Sequence, residues 1–457
     1  MSNTTTETLE EPRTNVARGY AWVWHLVPVV LVALAIRLVV VYFYYQELPD
    51  ANQHYEQFGW EVGWVARALA SGHGFSSPYY PMSGATAEVP PLYTSLLAGV
   101  FRLFGIYSLT SAFIVLSINS LLSSLTAIPV YFSAEYSLGA RGARISAWVW
   151  AFYPFAIYFS AGRVWEYSLT CLLLTTCLCI AQRIHLADNS LAWLGWGALY
   201  GLTALSNPAV LSTLPFLLVL ALFNAHRSGR RWVAKGALSF FTAVAVLIPW
   251  TVLNYRALGV LCPVCDLFWM EAYVDNFGNA YLDRSSPPSA GGRPYPATDP
   301  VEMHKFLTMG EPAYMAERRA LSLNELRNHP RVGFLAYKTL RRFFYYWTGY
   351  WSFSAAELQD QPYEPFNVFY VGVMTLLMLR GIGRFWRRNR DALLPYLALI
   401  VFFPLVYYIT NPLMDYRQAI EPAIVILAVA GAFPLRRMRA GDADGKCRAW
   451  IGAERMP

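Results

Sequence analysis

Charged residues are scarce in this sequence. Only 14% of its 457 residues are Asp, Glu, Lys or Arg, whereas proteins that fold in water average about 25%. A chain with so few charges could not cover a water-exposed surface, which excludes an ordinary soluble protein. The hydrophobic share of 56% instead indicates a protein that lies in a membrane.

The motifs of several enzyme classes are missing. The sequence contains no nucleotide-binding glycine loop, no HExxH zinc motif and no nucleophile elbow. Its outer histidines have no metal-ligand spacing, so they predict no metal site, and a divalent metal cofactor is left open. For the single CxxC pair, Cys262 and Cys265, a disulfide formed in an oxidising compartment is the favoured interpretation.

Long apolar runs are abundant. A membrane-spanning helix needs about 20 apolar residues, and about ten runs approach this length, so the sequence predicts an all-α polytopic membrane protein. An aromatic share of 16% suits rings that lie at the membrane–water interface. The predicted spans cover residues 23–45, 107 to just before "LGARGAR", 145–159, 167–180, 191–206, 210–223, 237–253, 366–379, 393–409 and 423–433.

The arginines predict the orientation of the bundle. They cluster in short connecting loops, and such loops lie in the cytoplasm. This pattern accounts for the net charge of +7 without a nucleic-acid partner, and none is expected. The predicted organisation is a disordered cytoplasmic N-terminus (1–22), a transmembrane bundle (23–253) that includes a first outer loop (46–105), an outer, periplasmic loop region (254–365), C-terminal transmembrane helices (366–435) and a cytoplasmic tail (436–457).

The two outer segments are too long to be simple connections. The stretch that follows Pro90 is too short and interrupted for a span, and it predicts a helix on the outer surface. Residues 331–351 combine basic and aromatic residues in a similar pattern. We therefore expect outer juxtamembrane helices within a mostly irregular or helical outer region, with a flexible Gly- and Pro-rich tip at 285–300.

Outer carboxylates are the candidates for chemistry. Glu61 is the preferred general base, because the surrounding "FGWEVGW" would exclude water and make its carboxylate more basic; a solvated loop glutamate is the alternative. Glu56 is the second choice, and it would point about 140° away from Glu61 on one helix. Glu88 precedes "VPPLY". Glu166 lies at the outer end of a predicted span beside Arg163, where it either faces a cavity or forms an interfacial pair with that arginine.

Arginines outside the cytoplasmic loops suggest anion binding. Arg256 and Arg417 fall on the predicted outer side, and a guanidinium grips phosphate through two parallel hydrogen bonds. For Arg417, packing or pairing with Asp415 or Glu421 is the alternative. Arg37 lies inside the first span, where it either extends to the headgroups or binds an anionic group.

The segments "FGWEVGWVARALASGHGFSSP", "VPPLYTSLLAGVFRLFG", "LTALSNPAVLSTLPF", "IPWTVLNYRALG" and "YRQAIEP" together resemble bacterial membrane glycosyltransferases of the GT-C type. These proteins are akin to the family 39 protein O-mannosyltransferases and the lipid A aminoarabinose transferases. The resemblance covers most of the chain and implies a GT-C-like bundle that takes a polyprenyl-phosphate-linked sugar as donor at the outer membrane face.

The resemblance also implies roles for residues. An acidic residue of the first outer loop would be the general base, a place that Glu61, then Glu56, occupies. Many relatives carry aspartate near the start of this loop, whereas this chain departs from that pattern and has Asp50 and the two glutamates instead. The Tyr-Arg element at Tyr416 and Arg417 would hold the donor phosphate, and Glu166 would shape the acceptor pocket.

The sequence thus predicts a glycosyltransferase of the bacterial inner membrane, with a lipid, protein or glycan acceptor and membrane lipids around it. A secondary transporter or flippase for an anionic lipid-linked or small substrate is the alternative. The predicted catalytic residues are Glu61, Glu56 and Glu166; the predicted phosphate ligands are Arg417, Tyr416, Arg256 and Arg37; Glu88 and Arg163 are predicted to line the cavity.

Overall fold

The computed structural model describes residues 21–45, 58–79, 82–229, 232–277, 294–328, 332–360 and 364–433. Glu56 and the tip at 285–293 lie outside these residues. The described part holds 19 α-helices, three 3₁₀ helices and, apart from one isolated bridge between Ser76 and Ala85, no β-structure, which confirms the predicted all-α class.

In chain order the α-helices are α1 (Ala21–Tyr44), α2 (Glu61–Ala70), α3 (Pro91–Phe104), α4 (Leu109–Leu125), α5 (Ala127–Ala151), α6 (Pro154–Ala161), α7 (Tyr167–Ala181), α8 (Ser190–Ser206), α9 (Leu214–Arg227), α10 (Trp232–Leu258), α11 (Phe268–Asn276), α12 (Pro300–Met309), α13 (Glu311–Asn328), α14 (Val332–Thr348), α15 (Ala355–Asp360), α16 (Glu364–Arg388), α17 (Arg390–Phe402), α18 (Leu405–Ile409) and α19 (Glu421–Ala432). The 3₁₀ helices are Ile184–Leu186, Pro208–Ser212 and Met414–Ile420.

Five helical segments of the described chain are long and apolar enough to cross a membrane, fewer than the ten predicted. They are Val23–Tyr44, Leu109–Ala151, Trp232–Leu258, Glu364–Arg388 and Arg390–Ile409. The spans predicted at 167–180, 191–206, 210–223 and 423–433 are helices of only 15, 17, 14 and 12 residues. A 12-residue helix is about 18 Å long, less than the ~30 Å hydrocarbon core, so the shortest of these helices does not reach across that core by itself.

The segment Leu109–Ala151 is a helical hairpin. Gly139 breaks the helix with φ 78°, and Arg37 binds both arms: its Nε donates to Ser123 Oγ at 3.1 Å and its Nη1 to the carbonyl of Ala151 at 3.0 Å. In one straight helix those two residues would be about 42 Å apart. The chain therefore reverses at Gly139, and the second and third predicted spans form the two arms.

Helix α19 forms the centre of the bundle. Every residue from Glu421 to Gly431 is buried, and α19 crosses α16 where two glycines meet. A Cβ on Gly381 would lie 1.9 Å from the carbonyl oxygen of Leu427. Small residues allow such close backbone approach between membrane helices, so this crossing fixes the position of the segment that leads into α19.

The basic connections gather at one end of the bundle. There Arg227 pairs with Asp391 at 3.4 Å, and Lys235 with Asp188 at 3.6 Å. Helix α7 begins after Glu166 and ends before the loop that leads to Asp188, so Glu166 lies at the opposite end. The assignment of the basic end to the cytoplasm stays a prediction.

The outer segments fold as helices against the other end. Helix α3 is the predicted surface helix, and it packs on α2 and α4. Within the predicted stretch 331–351, Val332–Thr348 form a helix, α14, with an apolar and a polar face. Helices α11 to α13 build a small core that includes Met270, Phe306 and Tyr314 and also buries Tyr79 of the first outer loop. This small core holds the two outer segments together above the bundle.

Candidate active site

A carboxyl pair lies where the two outer segments meet. The Tyr295 hydroxyl is 3.0 Å from Glu61 Oε1 and 3.1 Å from Glu88 Oε1. The Tyr79 hydroxyl donates to the same Glu88 oxygen at 2.5 Å. Glu61 is 8% exposed and Glu88 is fully buried, so the structure brings together two carboxylates that the sequence singled out separately.

A turn with strained backbone angles precedes Glu61 and fixes the position of this residue. Gly59 has φ 88° and Trp60 has φ 50°, and a Cβ on Gly59 would lie 2.3 Å from the carbonyl oxygen of Val164. Only glycine fits such a close approach. The turn therefore presses the start of α2 against the segment that carries Glu166.

Burial raises the pKa of both carboxyls in this pair. It raises the pKa of Glu61 to about 7, although the Tyr295 hydroxyl lowers that pKa. The pKa of Glu88 is raised well above its ordinary value, first by burial and then by the negative charge of Glu61. A carboxyl with a pKa near neutrality is suited to general base catalysis.

A second carboxyl pair anchors the outer helices to the first loop. Glu311 accepts a hydrogen bond from the backbone N–H of Ala87 at 2.6 Å, and its carboxyl is hydrogen-bonded to that of Asp266. Burial raises the pKa of Glu311 to about 8 and that of Asp266 to about 6. Two adjacent carboxyls are stable together only when at least one is protonated.

Glu166 lies in a neighbouring polar group. It accepts a hydrogen bond from Asn207 Nδ2 at 3.1 Å, and the same amide is 3.4 Å from the Tyr407 hydroxyl. The predicted pair with Arg163 is not formed, because Arg163 instead contacts the Tyr158 hydroxyl at 3.3 Å. The carboxyl of Glu166 is therefore next to an amide and not next to a cation that would neutralise it.

The 3₁₀ helix Met414–Ile420 lies beside the polar group that contains Glu166. The Tyr416 ring stacks on Tyr407 with ring centres 4.8 Å apart, and Asp415 accepts from the Tyr167 hydroxyl at 2.9 Å. Asp415 also lies close enough to Arg163 to interact with its charge. The exposed guanidinium of Arg163 is thus at the rim of the Glu166 group.

Glu271 connects the two polar groups. It interacts electrostatically with Tyr295 of the first group and with Tyr416 of the second. Because Glu271 is on α11, within the outer region, that region covers both groups. Glu271 thus lies within electrostatic range of both polar groups, whereas a single site bordered by Glu61, Glu88 and Glu166 stays a prediction.

Arg417 lies below the exposed surface rather than in an open outer loop. Both Arg417 and Glu421 are fully buried, and Arg417 Nε is 2.7 Å from Glu421 Oε1. Its Nη1 donates to the carbonyl of Tyr346 at 3.2 Å, while its Nη2 has no hydrogen-bond partner. Of the two alternatives raised by the sequence, pairing with Glu421 is the arrangement found.

The two other predicted phosphate ligands lie away from this site. Arg37 is fully buried, and besides Ser123 and Ala151 it donates to the carbonyl oxygens of Ala33 and Trp150. Its donors are occupied by the protein, so it neither extends to the headgroups nor offers a phosphate site. Arg256 is exposed in the last turn of α10 and contacts none of the acidic residues above.

Sequence reasoning missed Tyr295, Tyr79, Asp266, Glu311 and Asn207. The break at Asn207-Pro208 was visible in the sequence, but the other four residues become significant only through distant contacts. The predicted disulfide is not formed, because Cys262 and Cys265 are both free thiols. Within the described ranges, no group of three His, Cys, Asp or Glu side chains is arranged to hold a metal ion.

A small cavity reaches Tyr79, the hydrogen-bond donor to Glu88. Its volume is about 40 Å³, space for roughly three water molecules. Tyr79 lines it together with Trp64, Arg67, His73 and Ser77. Water can therefore approach the tyrosine that binds Glu88.

The helical bundle and its covering outer segments define a membrane protein with the GT-C fold, which the sequence resemblance predicts. Residues 88–253 match the family model of dolichyl-phosphate-mannose-protein mannosyltransferases. The chain is similar to the apo oligosaccharyltransferase of Archaeoglobus fulgidus, at 14% identity and a TM-score of 0.52, over 95% of this chain and 55% of that one. The same enzyme tethered to an acceptor peptide with the NVT sequon has a TM-score of 0.50 at 14% identity and the same coverage.

ArnT of Cupriavidus metallidurans bound to undecaprenyl phosphate is a more distant likeness, at 16% identity and a TM-score of 0.40, over 90% of this chain and 78% of that one. No curated protein matches the chain. The chain spans only about half the length of the oligosaccharyltransferases, with 55% of them covered. The likeness to these proteins shows the fold and nothing about the activity.

Proposed function

We propose that this protein is a glycosyltransferase that moves a sugar from a polyprenyl-phosphate donor to an acceptor hydroxyl. The observation that carries the proposal is the Glu61 carboxyl, with a pKa of about 7, bordering a site in a fold shared with oligosaccharyltransferases. The description of the matching family, in which mannose is carried on dolichyl phosphate, supports a lipid-phosphate donor.

Glu61 would accept the proton of the acceptor hydroxyl. An alcohol becomes a nucleophile when a carboxylate within about 3 Å takes its proton as it attacks. Glu61 is the better base of the pair, because it is slightly exposed whereas Glu88 is fully buried. Glu166, hydrogen-bonded to Asn207, would position the acceptor on the opposite wall.

The leaving group would be the lipid phosphate, whose developing charge needs cations in a low-dielectric site. Arg163 is exposed at the rim, and Arg417 has one unpartnered nitrogen, Nη2. Arg163 would supply most of the attraction, because Glu421 already neutralises Arg417. Tyr416 would then line the phosphate site rather than bind the anion by charge.

The site would face the outside of a bacterial inner membrane, with both termini in the cytoplasm. The basic connections lie at the end of the bundle away from Glu166, and such connections remain in the cytoplasm. A lipid-linked sugar could then reach the site from the outer leaflet, and a lipid, protein or glycan acceptor could reach it from the aqueous side.

The test is sugar transfer by purified protein in liposomes, supplied with a panel of radiolabelled polyprenyl-phosphate sugars and a bacterial envelope fraction as acceptor. We expect Glu61→Gln to reduce transfer about 10²- to 10⁴-fold, the usual contribution of general acid–base catalysis. Glu317→Gln is the matched control, since Glu317 lies on α13 and pairs with Arg318. Transfer by Glu61→Gln at the wild-type rate would refute the assignment of the base, and no transfer from any donor would refute the activity.

A further inference from the structure

The Tyr295 hydroxyl contacts two carboxyl groups but has only one proton. Its oxygen is 3.0 Å from Glu61 Oε1 and 3.1 Å from Glu88 Oε1. The same oxygen of Glu88 also accepts from Tyr79. These are three short O···O contacts, and the two tyrosines bring two protons between them.

Each of these contacts needs one proton to be attractive. If both carboxyls were ionised, one contact would place a phenol oxygen against a carboxylate with no proton between them. That arrangement is repulsive, and Glu61 and Glu88 are too buried for water to screen it. One additional proton on the carboxyl pair satisfies all three contacts.

The position of that proton follows from the exposure of the two groups. With the proton on Glu88, Glu88 donates to Tyr295, Tyr295 donates to Glu61, and Tyr79 donates to Glu88. Glu88 is fully buried and Glu61 is 8% exposed, so the negative charge is less costly on Glu61. Glu61 Oε2 then remains available to accept a proton from a bound hydroxyl.

We propose that Tyr295 is a positioning residue of the active site, which joins Glu61 to Glu88 so that the two carboxyls share one proton and Glu61 is left ionised as the base. The role of Glu61 as base rests on the proposed function; the shared proton does not. In the reaction, the O–H bond of the acceptor breaks as its proton moves to Glu61, and the electron pair left on the acceptor oxygen attacks the anomeric carbon of the sugar. The bond between that carbon and the lipid phosphate breaks, and the phosphate leaves with the electron pair of that bond.

The titratable groups around the Glu61–Glu88 pair are carboxyls, a thiol and phenols. From the first loop, Tyr79 faces Glu88; from the outer region, Tyr295 faces both carboxyls. The other titratable groups that interact with the pair or with Tyr295 are Asp266, Glu271, Glu311, Cys265 and Tyr314. Among the described residues these groups are acidic or neutral, so their electrostatic effect favours a proton on the carboxyl pair.

The first experiment compares the pH dependence of sugar transfer in wild type, Tyr295→Phe and Tyr314→Phe. Tyr314→Phe is the matched control, because it removes a phenol from the same small core whose partner is Glu302, at 2.8 Å. Loss of the Tyr295 donor should move the acid limb of the profile about one pH unit higher, the effect of one hydrogen bond on a pKa. Tyr314→Phe should leave the limb in place, and an equal limb in all three proteins would overturn the proposal.

The second experiment does not depend on activity. Infrared titration of the purified protein detects the C=O stretch of protonated carboxyls. We expect part of the band at neutral pH to come from Glu88. Glu88→Gln should abolish that part, and Tyr295→Phe should shift the pH at which it titrates. Glu311→Gln should remove only the part that comes from Glu311. A neutral-pH band unchanged in both Glu88→Gln and Tyr295→Phe would overturn the shared proton. If wild type transfers no sugar but this band behaves as expected, the proposed function fails while the shared proton stands.

Discussion

The buried pair of Arg417 and Glu421 gives the sharpest prediction for stability. Both side chains are fully buried, and Nε and Oε1 are 2.7 Å apart. Removal of one partner leaves an uncompensated charge inside the bundle, which typically costs 3–5 kcal/mol, roughly two to four powers of ten in the unfolding equilibrium. We therefore expect Arg417→Met and Glu421→Met each to lower the free energy of unfolding by about this amount.

The double variant distinguishes charge from packing. Replacement of both partners by methionine removes both desolvation costs, so it should be within about 1 kcal/mol of wild type. The measurement is unfolding by denaturing detergent in mixed micelles, followed through tryptophan fluorescence. A loss below about 1 kcal/mol in either single variant would show that water reaches the pair, and the reasoning from burial would be refuted.

The same double variant tests the role of Arg417 in donor binding. If Arg417 Nη2 holds the donor phosphate, the folded double variant should have a raised apparent KM for the lipid-phosphate sugar. If Arg417 is purely structural, the double variant should transfer sugar at the wild-type KM. Arg163→Met provides the comparison, because Arg163 is exposed and can be replaced without leaving a buried charge.

Two further predictions concern the outer region and the centre of the bundle. The pKa of Glu311 is raised to about 8, so its protonated form favours the docked state. The protection of residues 294–328 from hydrogen exchange, relative to the intrinsic exchange rate at each pH, should therefore fall as pH rises from ~4.5 to ~8, and this fall should be smaller in Glu311→Gln. Gly381→Ala should lower the free energy of unfolding by about 1–3 kcal/mol, because its Cβ would meet the Leu427 carbonyl at 1.9 Å, whereas the control Gly383→Ala meets nothing within 4 Å. Equal stability of the two alanine variants, or an undiminished loss of protection with pH in Glu311→Gln, would contradict these expectations.

The sequence was sufficient for the fold class and for much of the acidic site. Apolar periodic runs identify helices by composition alone, and "FGWEVGW" placed Glu61 in an aromatic environment before any contact was known. Tyr295 could not be found in this way. It is 234 positions from Glu61, and only the packing of α11 to α13 on the first loop brings its hydroxyl to the carboxyls.

The arginines show where residue type is a weak guide. The spacing of Arg417 and Glu421, four positions on a helix, did signal a pair, but the sequence could not rank that pair above a phosphate site. The donors of Arg37 are taken by carbonyl oxygens, and that depends on a chain reversal at Gly139 that no local pattern records. The apolar runs likewise did not show which helices would be short, such as α19, which its neighbours enclose.

The position of Arg37 has a consequence for how the protein is made. Helix α1 is synthesised before the hairpin, so its guanidinium is made before its partners at Ser123, Trp150 and Ala151. An arginine at the centre of a lone helix costs about 2.5–3.5 kcal/mol during insertion. Part of that cost falls on Arg37, so we expect helix α1 to be held more stably in the bilayer once the hairpin that follows it is in place.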